Sequence, residues 1–301
     1  QILRNKQFHT YLIDGVPVEV IRDVERDIET VRFIDFNSVD KNQFLVVSQF
    51  TIQGANQPRR PDLLIFINGI PLAVLELKNP DNEDTDIWQA FGQIQTYKKQ
   101  IPDLFTYNIA NVVSDGYTAR VGSLTANTEW YMPWRVIHHE DDRPELQFEM
   151  ETVIKGFFNR KLFLDYIRHF ILFEQDGDHL IKKIAGYHQF HAVREAVRAV
   201  ITASKIPENQ LSEPRASYAE NVEPGSKKGG VVWHTQGSGK SISMVCFTGK
   251  LLQQPEMKNP TIVVVTDRND LDSQLFQTFS SAQDLLKQRP IQADTREELR
   301  E

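Results

Sequence analysis

The sequence predicts an α/β protein of two successive domains, and three stretches of the chain indicate it. Two apolar runs, 63–67 and 71–77, flank an Asn-Gly pair at 68–69, which is the strongest short-range signal for a β-hairpin. A helical pattern over 86–100 follows the second run directly. Farther along, 230–252 combines a short apolar run, a glycine-rich loop and another helical pattern. Strands that alternate with helices in this way are typical of an α/β fold.

The other elements follow from apolar patterning in chain order, and the strands of 105–137 are expected to extend the sheet that contains the hairpin. Runs of β-branched and aromatic residues predict strands, whereas apolar residues that recur three and four positions apart predict helices. The further predicted strands are 16–20, 44–52, 105–113, 119–121, 130–137, 230–233 and 261–265. The further predicted helices are 146–173, a helix that ends near 203, and 241–252.

Length and composition limit the possible classes of protein. A chain of 301 residues is expected to form about two domains, which we place at 1–175 and 176–301. The formal net charge of −7 is weak evidence against nucleic-acid binding, because such binding depends on a local basic groove. The single cysteine, Cys246, excludes an internal disulfide framework and predicts a cytoplasmic protein. No apolar run reaches the roughly 18 residues of a membrane span, so we expect no membrane partner.

Charged residues interrupt the apolar hairpin and predict a metal site. Asp62 begins it, and Glu76 and Lys78 end it. Burying unpaired charges is costly, and Glu76 and Lys78 share one face of their strand. A regular hairpin with a two-residue turn would pair Asp62 with Leu75 and place it on the opposite face from Glu76. We therefore predict a three-residue connection with a bulge at Gly69, which shifts the register by one and brings Asp62 opposite Glu76.

Two neighbouring carboxylates repel each other unless a cation lies between them, and hard oxygen ligands select Mg²⁺. Mg²⁺ at such a site polarises a phosphodiester and activates water, and Lys78 can orient that water or stabilise the developing charge. The pattern P-D-x(13)-E-x-K resembles the PD-(D/E)xK nuclease superfamily. The resemblance implies that Asp62, Glu76 and the backbone carbonyl of Leu77 bind the metal, and that the domain is built on a mixed central sheet. The alternative is a strand whose polar ends simply reach solvent.

A second pattern concerns the helix after the hairpin. Gln93 and Tyr97 are four residues apart and share one helical face. This Q-x-x-x-Y pair resembles the RecB-like branch of the same superfamily, in which it helps to position substrate or catalytic groups; the alternative is a polar stripe on a surface helix. Arg59 and Arg60 precede Asp62 and are candidates for gripping DNA phosphates, or else a solvated pair.

The same resemblance leaves a third carboxylate open. RecB-like nucleases often take one from an early helix, and Glu25 and Glu29 are the candidates in this chain. Solvated surface charge is the simpler reading of each residue.

The glycine-rich loop predicts a nucleotide site. It consists of Gly237, Ser238, Gly239, Lys240 and Ser241. The loop resembles a Walker A motif, in which backbone N–H groups wrap a phosphate, the lysine reaches the β- and γ-phosphates and the serine holds Mg²⁺. His234 stands where the first glycine usually is, and superfamily 2 helicases commonly lack that glycine. The resemblance therefore implies the beginning of a RecA-like helicase domain that binds ATP.

Two further residues gain candidate roles from this helicase resemblance. Gln189, in an aromatic setting upstream of the loop, resembles the Q-motif glutamine that reads adenine; a polar residue at a helix N-terminus is the alternative. The segment T-D-R-N-D-L-D after the apolar run 261–265 resembles helicase motif Ia, which lies against the DNA backbone. That resemblance makes Arg268 a candidate for contact with DNA.

Nuclease and helicase motifs in this order resemble the HsdR motor subunit of type I restriction endonucleases, from about residue 40 onward. Three sequence segments are the basis of this resemblance: F-I-N-G-I-P-L-A-V-L-E-L-K-N-P, W-H-T-Q-G-S-G-K-S and V-T-D-R-N-D-L-D. The resemblance implies cleavage of double-stranded DNA coupled to ATP-driven translocation, in a complex with HsdM and HsdS. S-adenosylmethionine would enter only through HsdM.

The sequence also predicts what these residues do not do alone. The chain starts at Gln1 without a methionine, and no D-E-x-H motif or second RecA-like lobe follows the glycine-rich loop. We therefore expect a fragment that does not hydrolyse ATP by itself. A standalone RecB-like nuclease–helicase of repair or phage defence, and a non-catalytic DNA-binding module, remain alternatives.

Overall fold

A computed structural model of the chain describes residues 1–22, 25–55, 57–79, 86–138, 148–205, 222–293, 295 and 297–299. The chain divides into two compact units, residues 1–187 and 188–301. The domain boundary predicted between 175 and 176 falls inside a strand of the first unit. None of the helices over the described residues combines the length and apolar character that a bilayer crossing requires.

The first unit contains four α-helices and eleven strands among its described residues. The helices are α1 (Ile2–Asp14), α2 (Ile87–Gln100), α3 (Glu149–Thr152) and α4 (Arg160–His169). The strands are β1 (Val16–Arg22), β2 (Glu25–Val31), β3 (Phe44–Ser48), β4 (Ile52–Gln53), β5 (Pro58–Arg59), β6 (Leu63–Ile67), β7 (Ile70–Leu77), β8 (Ala110–Ser114), β9 (Ala119–Gly122), β10 (Ile171–Asp176) and β11 (His179–Ile184).

A mixed five-stranded sheet forms the centre of this unit, in the order β3-β6-β7-β8-β9. Only β7 and β8 are parallel, and the other neighbours are antiparallel. A parallel neighbour requires a crossover connection, and α2 lies in the segment that joins β7 to β8. Apolar side chains of α2 and of the strands pack together, with Ile94 and Leu64 fully buried. The predicted α/β class with a mixed central sheet is therefore confirmed.

The turn between β6 and β7 differs from the prediction. Ile67 pairs with Ile70, so the connection has two residues, and the predicted three-residue connection with a bulge at Gly69 is wrong. Asn68 and Gly69 both have positive φ angles, 51° and 80°, as a tight hairpin turn requires. The Asn68 amide holds this conformation by donating to the backbone oxygen of Phe33 at 2.7 Å.

The predicted register shift is nevertheless present, at another place. Pairing slips by one between Ile65 and Phe66, which leaves Leu72 of β7 as the extra residue of a β-bulge. Beyond the bulge Leu63 pairs with Leu75. Asp62 and Glu76 are therefore opposite each other, as the sequence argument required.

Several predicted strands are shorter or absent. The strand predicted over 44–52 ends at Ser48, and that predicted over 105–113 begins only at Ala110, after a 3-10 helix over 102–106. The strand predicted over 130–137 is reduced to one bridge between Val121 and Met132. The helix predicted to 173 ends at His169, and the hairpin β10–β11 follows. The apolar run at the end of α4 fits both periodicities, which is why patterning could not separate them.

In the second unit, the regular secondary structure of the described residues is entirely helical. Its helices are α5 (Tyr187–Ser204), which begins at the last residue of the first unit, α6 (Lys240–Leu252), α7 (Asn269–Ser281) and α8 (Gln283–Leu286). The predicted strands 230–233 and 261–265 are not strands, and Val231 and Val265 are 94% and 85% exposed. A β-branched run becomes a strand only beside a pairing partner, and the described part of this unit supplies none.

Lys182 on β11 is a buried lysine. It is 2% exposed, and its Nζ donates to the backbone oxygen of Asn108 at 2.6 Å. Burial lowers the pKa of Lys182 to about 7, because a buried ammonium has lost its hydration. An unfolded chain therefore binds more protons than the folded one between about pH 7 and the ordinary lysine pKa, so folding stability rises with pH across that window.

Replacing Lys182 by methionine is expected to raise the free energy of unfolding at pH 7, by about 1.4 kcal/mol for each unit of pKa depression that is relieved. The gain shrinks as the pH rises toward 10, since the wild-type lysine then folds without losing a proton. Denaturant unfolding at pH 7 and pH 9.5 measures both effects. Lys183→Met, next to it in a partly exposed ion pair with Glu174, is the control with little expected change. An identical pH dependence in wild type and Lys182→Met would contradict the assignment.

Candidate functional site

Asp62 and Glu76 face each other where β6 begins and β7 ends. Directly opposed residues of an antiparallel pair have Cβ atoms about 5 Å apart. Glu76 is only 4% exposed, whereas Asp62 is half-buried. Two carboxylates thus meet at the edge of an apolar sheet, where their charges are poorly screened.

The Glu76 carboxylate contacts a cation and a phenol. Its Oε1 lies 3.1 Å from the Nζ of Lys78, and its Oε2 accepts the O–H of Tyr97 at 3.1 Å. Burial first, and then the charge of Asp62, raise the pKa of Glu76 above its ordinary value, against the opposing effects of Lys78 and Tyr97. The lysine alone does not balance the two acids, so their electrostatics favour a further cation between them.

The Asp62 carboxylate is held by one donor on each oxygen. Oδ2 accepts the backbone N–H of Leu77 at 2.8 Å, and Oδ1 accepts the side-chain amide of Gln49 at 2.8 Å. A carboxylate offers about four lone-pair positions, so both oxygens keep capacity for a metal ion. Leu77, whose carbonyl is a predicted ligand, is thus in direct contact with Asp62 through its N–H.

Gln93 and Tyr97, the predicted positioning residues, lie on helix α2, which places Tyr97 against the Glu76 carboxylate. Its first turn is capped by Asp86, whose side chain accepts the backbone N–H groups of Trp88 and Gln89. Tyr97 is 3% exposed, and its O–H also lies 3.3 Å from the backbone oxygen of Arg60. Burial raises the pKa of Tyr97 to about 12, although a hydrogen bond from Gln93 opposes that rise. Tyr97 is therefore a neutral donor toward Glu76, and Gln93 supports it.

The donor set fits Mg²⁺ better than a metal that needs many protein ligands. No group of three or more His, Cys, Asp or Glu side chains suited to a metal occurs in the described part of the chain. Mg²⁺ commonly binds through one or two carboxylates and completes its shell with water and phosphate oxygens. Of the two candidates for a third carboxylate, Glu29 lies on β2 with Arg22 at 2.5 Å, and the side chain of Glu25 is outside the described residues.

The two arginines before Asp62 lie beside the same edge. The Arg59 guanidinium donates to the side chain of Gln100, the last residue of α2. The Arg60 side chain is exposed, and its backbone oxygen faces Tyr97. Arg60 thus contacts Tyr97 through its backbone and presents its side chain to solvent, whereas the Arg59 side chain is held at the end of α2.

In the second unit, the glycine-rich loop leads directly into α6. Gly237 and Gly239 have φ angles of 79° and 74°, which glycine adopts without strain. Lys240 is the first residue of α6, and its Nζ donates to the backbone oxygen of Thr235 at 2.7 Å. Ser241 follows it in the first helical turn. The loop thus has the glycine conformations of a phosphate-binding turn and the position directly before a helix, although the strand predicted before it is absent.

Gln189 contacts this loop. It is 4% exposed, and its Nε2 donates to the backbone oxygens of Ser238 and Gly239, each at 3.0 Å. A Cβ on Gly239 would come within 2.5 Å of that nitrogen, so the contact requires glycine there. The predicted pairing of Gln189 with adenine stays a prediction, and the observed contact is with the loop. Arg268, the other candidate of this unit, is exposed and immediately precedes α7.

Gln49 is the site contact that the sequence did not predict. It lay in the middle of a run assigned to one continuous strand, and glutamine at the end of a strand carries no chemical signal. Strand pairing would have found it, because β3 pairs with β6 and the next residue after Ser48 is then opposite Asp62.

Comparisons with known proteins agree with the two units. The family model for the type I restriction enzyme R protein N terminus matches residues 1–130, and that for the SWI2/SNF2 ATPase matches residues 188–301. The HindI endonuclease subunit of a type I restriction enzyme from Haemophilus influenzae is 48% identical over 100% of this chain and 27% of its own length. A putative type I restriction enzyme endonuclease subunit, MjaIXP, from Methanocaldococcus jannaschii is 33% identical over 93% of the chain and 27% of its own length. The chain thus spans about a quarter of these relatives.

Proposed function

Because this chain belongs to the family of type I restriction enzyme R proteins, whose N-terminal region it matches, we propose that its first unit is a Mg²⁺-dependent DNA endonuclease. We propose further that its second unit begins an ATP-driven DNA translocase. The observation that carries the nuclease assignment is the opposition of Asp62 and Glu76, with Lys78 and Tyr97 on the Glu76 carboxylate. That arrangement supports a PD-(D/E)xK nuclease fold of the RecB-like branch.

The chain's own residues have distinct tasks in phosphodiester hydrolysis. Asp62, Glu76 and the Leu77 carbonyl would hold Mg²⁺, which when bound polarises the phosphodiester and lowers the pKa of a water molecule. The ammonium of Lys78, 3.1 Å from Glu76, is placed to stabilise negative charge that develops on the phosphate. Tyr97 fixes the orientation of Glu76 by its hydrogen bond, and Gln93 fixes Tyr97.

The glycine-rich loop is proposed to bind the phosphates of ATP. The N–H groups around Gly237, Ser238 and Gly239 would surround a phosphate at the N-terminus of α6, where the helix dipole also attracts an anion. The Lys240 ammonium would release the backbone oxygen of Thr235 and donate to a β- or γ-phosphate oxygen instead, so that one hydrogen-bond acceptor replaces another. Ser241 would hold the nucleotide's Mg²⁺, and Gln189 would link the adenine to the loop.

Membership of this family also supports a proposal for the substrate and partners of the whole enzyme. We propose double-stranded DNA as the substrate, with Arg59, Arg60 and Arg268 as phosphate contacts. HsdM and HsdS subunits would complete the complex in the cytoplasm, and S-adenosylmethionine would bind only to the methyltransferase subunit. The test is plasmid cleavage by the complete polypeptide with candidate HsdM and HsdS, Mg²⁺ and ATP. Cleavage that persists unchanged after all divalent metal is chelated would exclude the proposal.

Replacing Tyr97 by phenylalanine in this assay is expected to slow DNA cleavage by about 10- to 100-fold, the range for groups that support metal ligands. The variant removes only the hydroxyl that donates to Glu76, so ATP hydrolysis is expected to stay at the wild-type rate. Tyr107→Phe is the matched control, because Tyr107 is 38% exposed and outside the site. Equal cleavage rates for the two variants would show that the Tyr97 hydroxyl does not matter.

A further inference from the structure

Gln49 lies directly opposite Asp62, one residue beyond the last pair of the β3–β6 ladder. Ser48 pairs with Leu63, and the backbone N–H of Gln49 donates to the backbone oxygen of Asp62 at 3.0 Å. Its side-chain amide then donates to Oδ1 of the same aspartate at 2.8 Å. Gln49 therefore contacts Asp62 twice, by main chain and by side chain.

The backbone of Gln49 is strained. Its φ angle is 52°, in the left-handed region that glycine and asparagine adopt readily and glutamine does not. The strain coincides with the point where the chain leaves the sheet after β3. Such strain persists only where the surrounding contacts impose it, and an observed outlier of this kind points to a functional constraint.

The two donors on Asp62 act together. Leu77 N–H binds Oδ2 and Gln49 binds Oδ1, so the carboxylate cannot rotate about its own axis without breaking a hydrogen bond. The glutamine amide is neutral, so it orients the carboxylate and leaves its negative charge for a cation. A lysine or arginine in the same place would compete with that cation.

We propose that Gln49 is a positioning residue for the metal site: it holds the Asp62 carboxylate toward Glu76, as Tyr97 holds Glu76 from the other side. The proposal rests on the proposed nuclease function, since it assigns Gln49 to the same metal. Groups that hydrogen-bond a metal ligand typically contribute 10- to 100-fold to metal affinity or activity. Gln49 itself is exposed, so its removal leaves no cavity.

The test compares Gln49→Gly and Gln49→Leu in the complete polypeptide. Glycine removes the side-chain amide and also relieves the backbone strain. A purely structural role of Gln49 therefore predicts a lower melting temperature, whereas a positioning role predicts weaker metal binding without a loss of stability. Gln43→Leu is the matched control, because Gln43 is an exposed glutamine just before the other end of β3. Mn²⁺ binding without DNA or ATP, followed by electron paramagnetic resonance, gives a readout that does not depend on cleavage.

We expect Glu76→Ala to abolish Mn²⁺ binding at this site. Gln49→Gly and Gln49→Leu should weaken that binding by about 10- to 100-fold. The Mg²⁺ concentration that half-saturates plasmid cleavage should rise by a similar factor, whereas the rate at saturating Mg²⁺ should change less. The melting temperature of Gln49→Gly should stay equal to that of the wild type or increase. Gln43→Leu should match the wild type in every measurement.

Three outcomes would overturn the inference in distinguishable ways. Metal affinity of Gln49→Gly within twofold of the wild type, with Glu76→Ala inactive, would reject the role of Gln49 and keep the nuclease. Normal metal binding and cleavage by Glu76→Ala would reject the nuclease site and the inference together. A melting temperature of Gln49→Gly several degrees below that of the wild type would assign the residue to the fold instead, and would also reject positioning.

Discussion

Glu76→Ala is expected to abolish DNA cleavage by the complete protein while ATP hydrolysis continues at the wild-type rate. The change removes a ligand of the proposed metal and the partner of both Lys78 and Tyr97. Loss of a direct ligand should exceed the roughly 100-fold upper range for its supporting groups. The measurement is conversion of supercoiled plasmid to cut forms, with phosphate release recorded in parallel.

Two controls separate chemistry from folding in that experiment. Glu76→Gln keeps the size of the side chain and a hydrogen-bonding oxygen for Tyr97 but lacks the charge, so it should also be inactive. Glu129→Ala removes an exposed carboxylate of the same unit and should cut normally. Normal cleavage by Glu76→Ala would mean that the hairpin is only part of a sheet and that the metal site is wrong.

Lys240→Ala is expected to abolish ATP hydrolysis by the complete protein, and with it DNA cleavage in the assembled enzyme. The Lys240 ammonium belongs to the first residue of α6, directly after the glycines of the proposed phosphate site, and cations that stabilise a transferred phosphoryl group contribute about 10³-fold or more. The alanine variant also removes the contact with Thr235, which is a surface hydrogen bond of small energetic weight.

Phosphate release and plasmid cleavage measured on the same preparation check this result. Lys228→Ala, an exposed lysine of the same unit, is the control and should leave both activities unchanged. Loss of ATP hydrolysis with undiminished cleavage would show that cutting does not require the motor. Retained ATP hydrolysis would place the nucleotide somewhere other than the glycine-rich loop.

The acidic pair was predictable because the number of residues between the two acids along one hairpin decides whether they lie on the same face of the sheet. Asp62 and Glu76 are close in the chain, and the requirement that they share a face fixed the register shift. The place of the shift was not predictable. Asn68 forms hydrogen bonds with segments before β3 that hold a tight turn, so the extra residue had to be accommodated elsewhere, at Leu72.

Sequence patterns did not predict the features that depend on pairing between distant strands. Gln49 acquires its contact only because β3 lies beside β6, and neither its residue type nor its neighbours in the chain indicate that. The apolar runs 230–233 and 261–265 have strong strand propensity, but propensity without a neighbouring strand does not produce one. By contrast, α2 and α6 carry their own periodicity and were predicted within a residue or two.

The bulge at Leu72 has a consequence for insertions and deletions in chains of this kind. In a hairpin with a two-residue turn and no bulge, facing residues are separated by an even number of positions, because each strand contributes equally. Thirteen positions lie between Asp62 and Glu76, and this odd number requires one extra residue in one of the two strands. Lengthening the hairpin by one residue in each strand would leave the acids facing each other. Gaining or losing a single residue would turn one acid to the opposite face, unless the bulge disappeared or a second one formed.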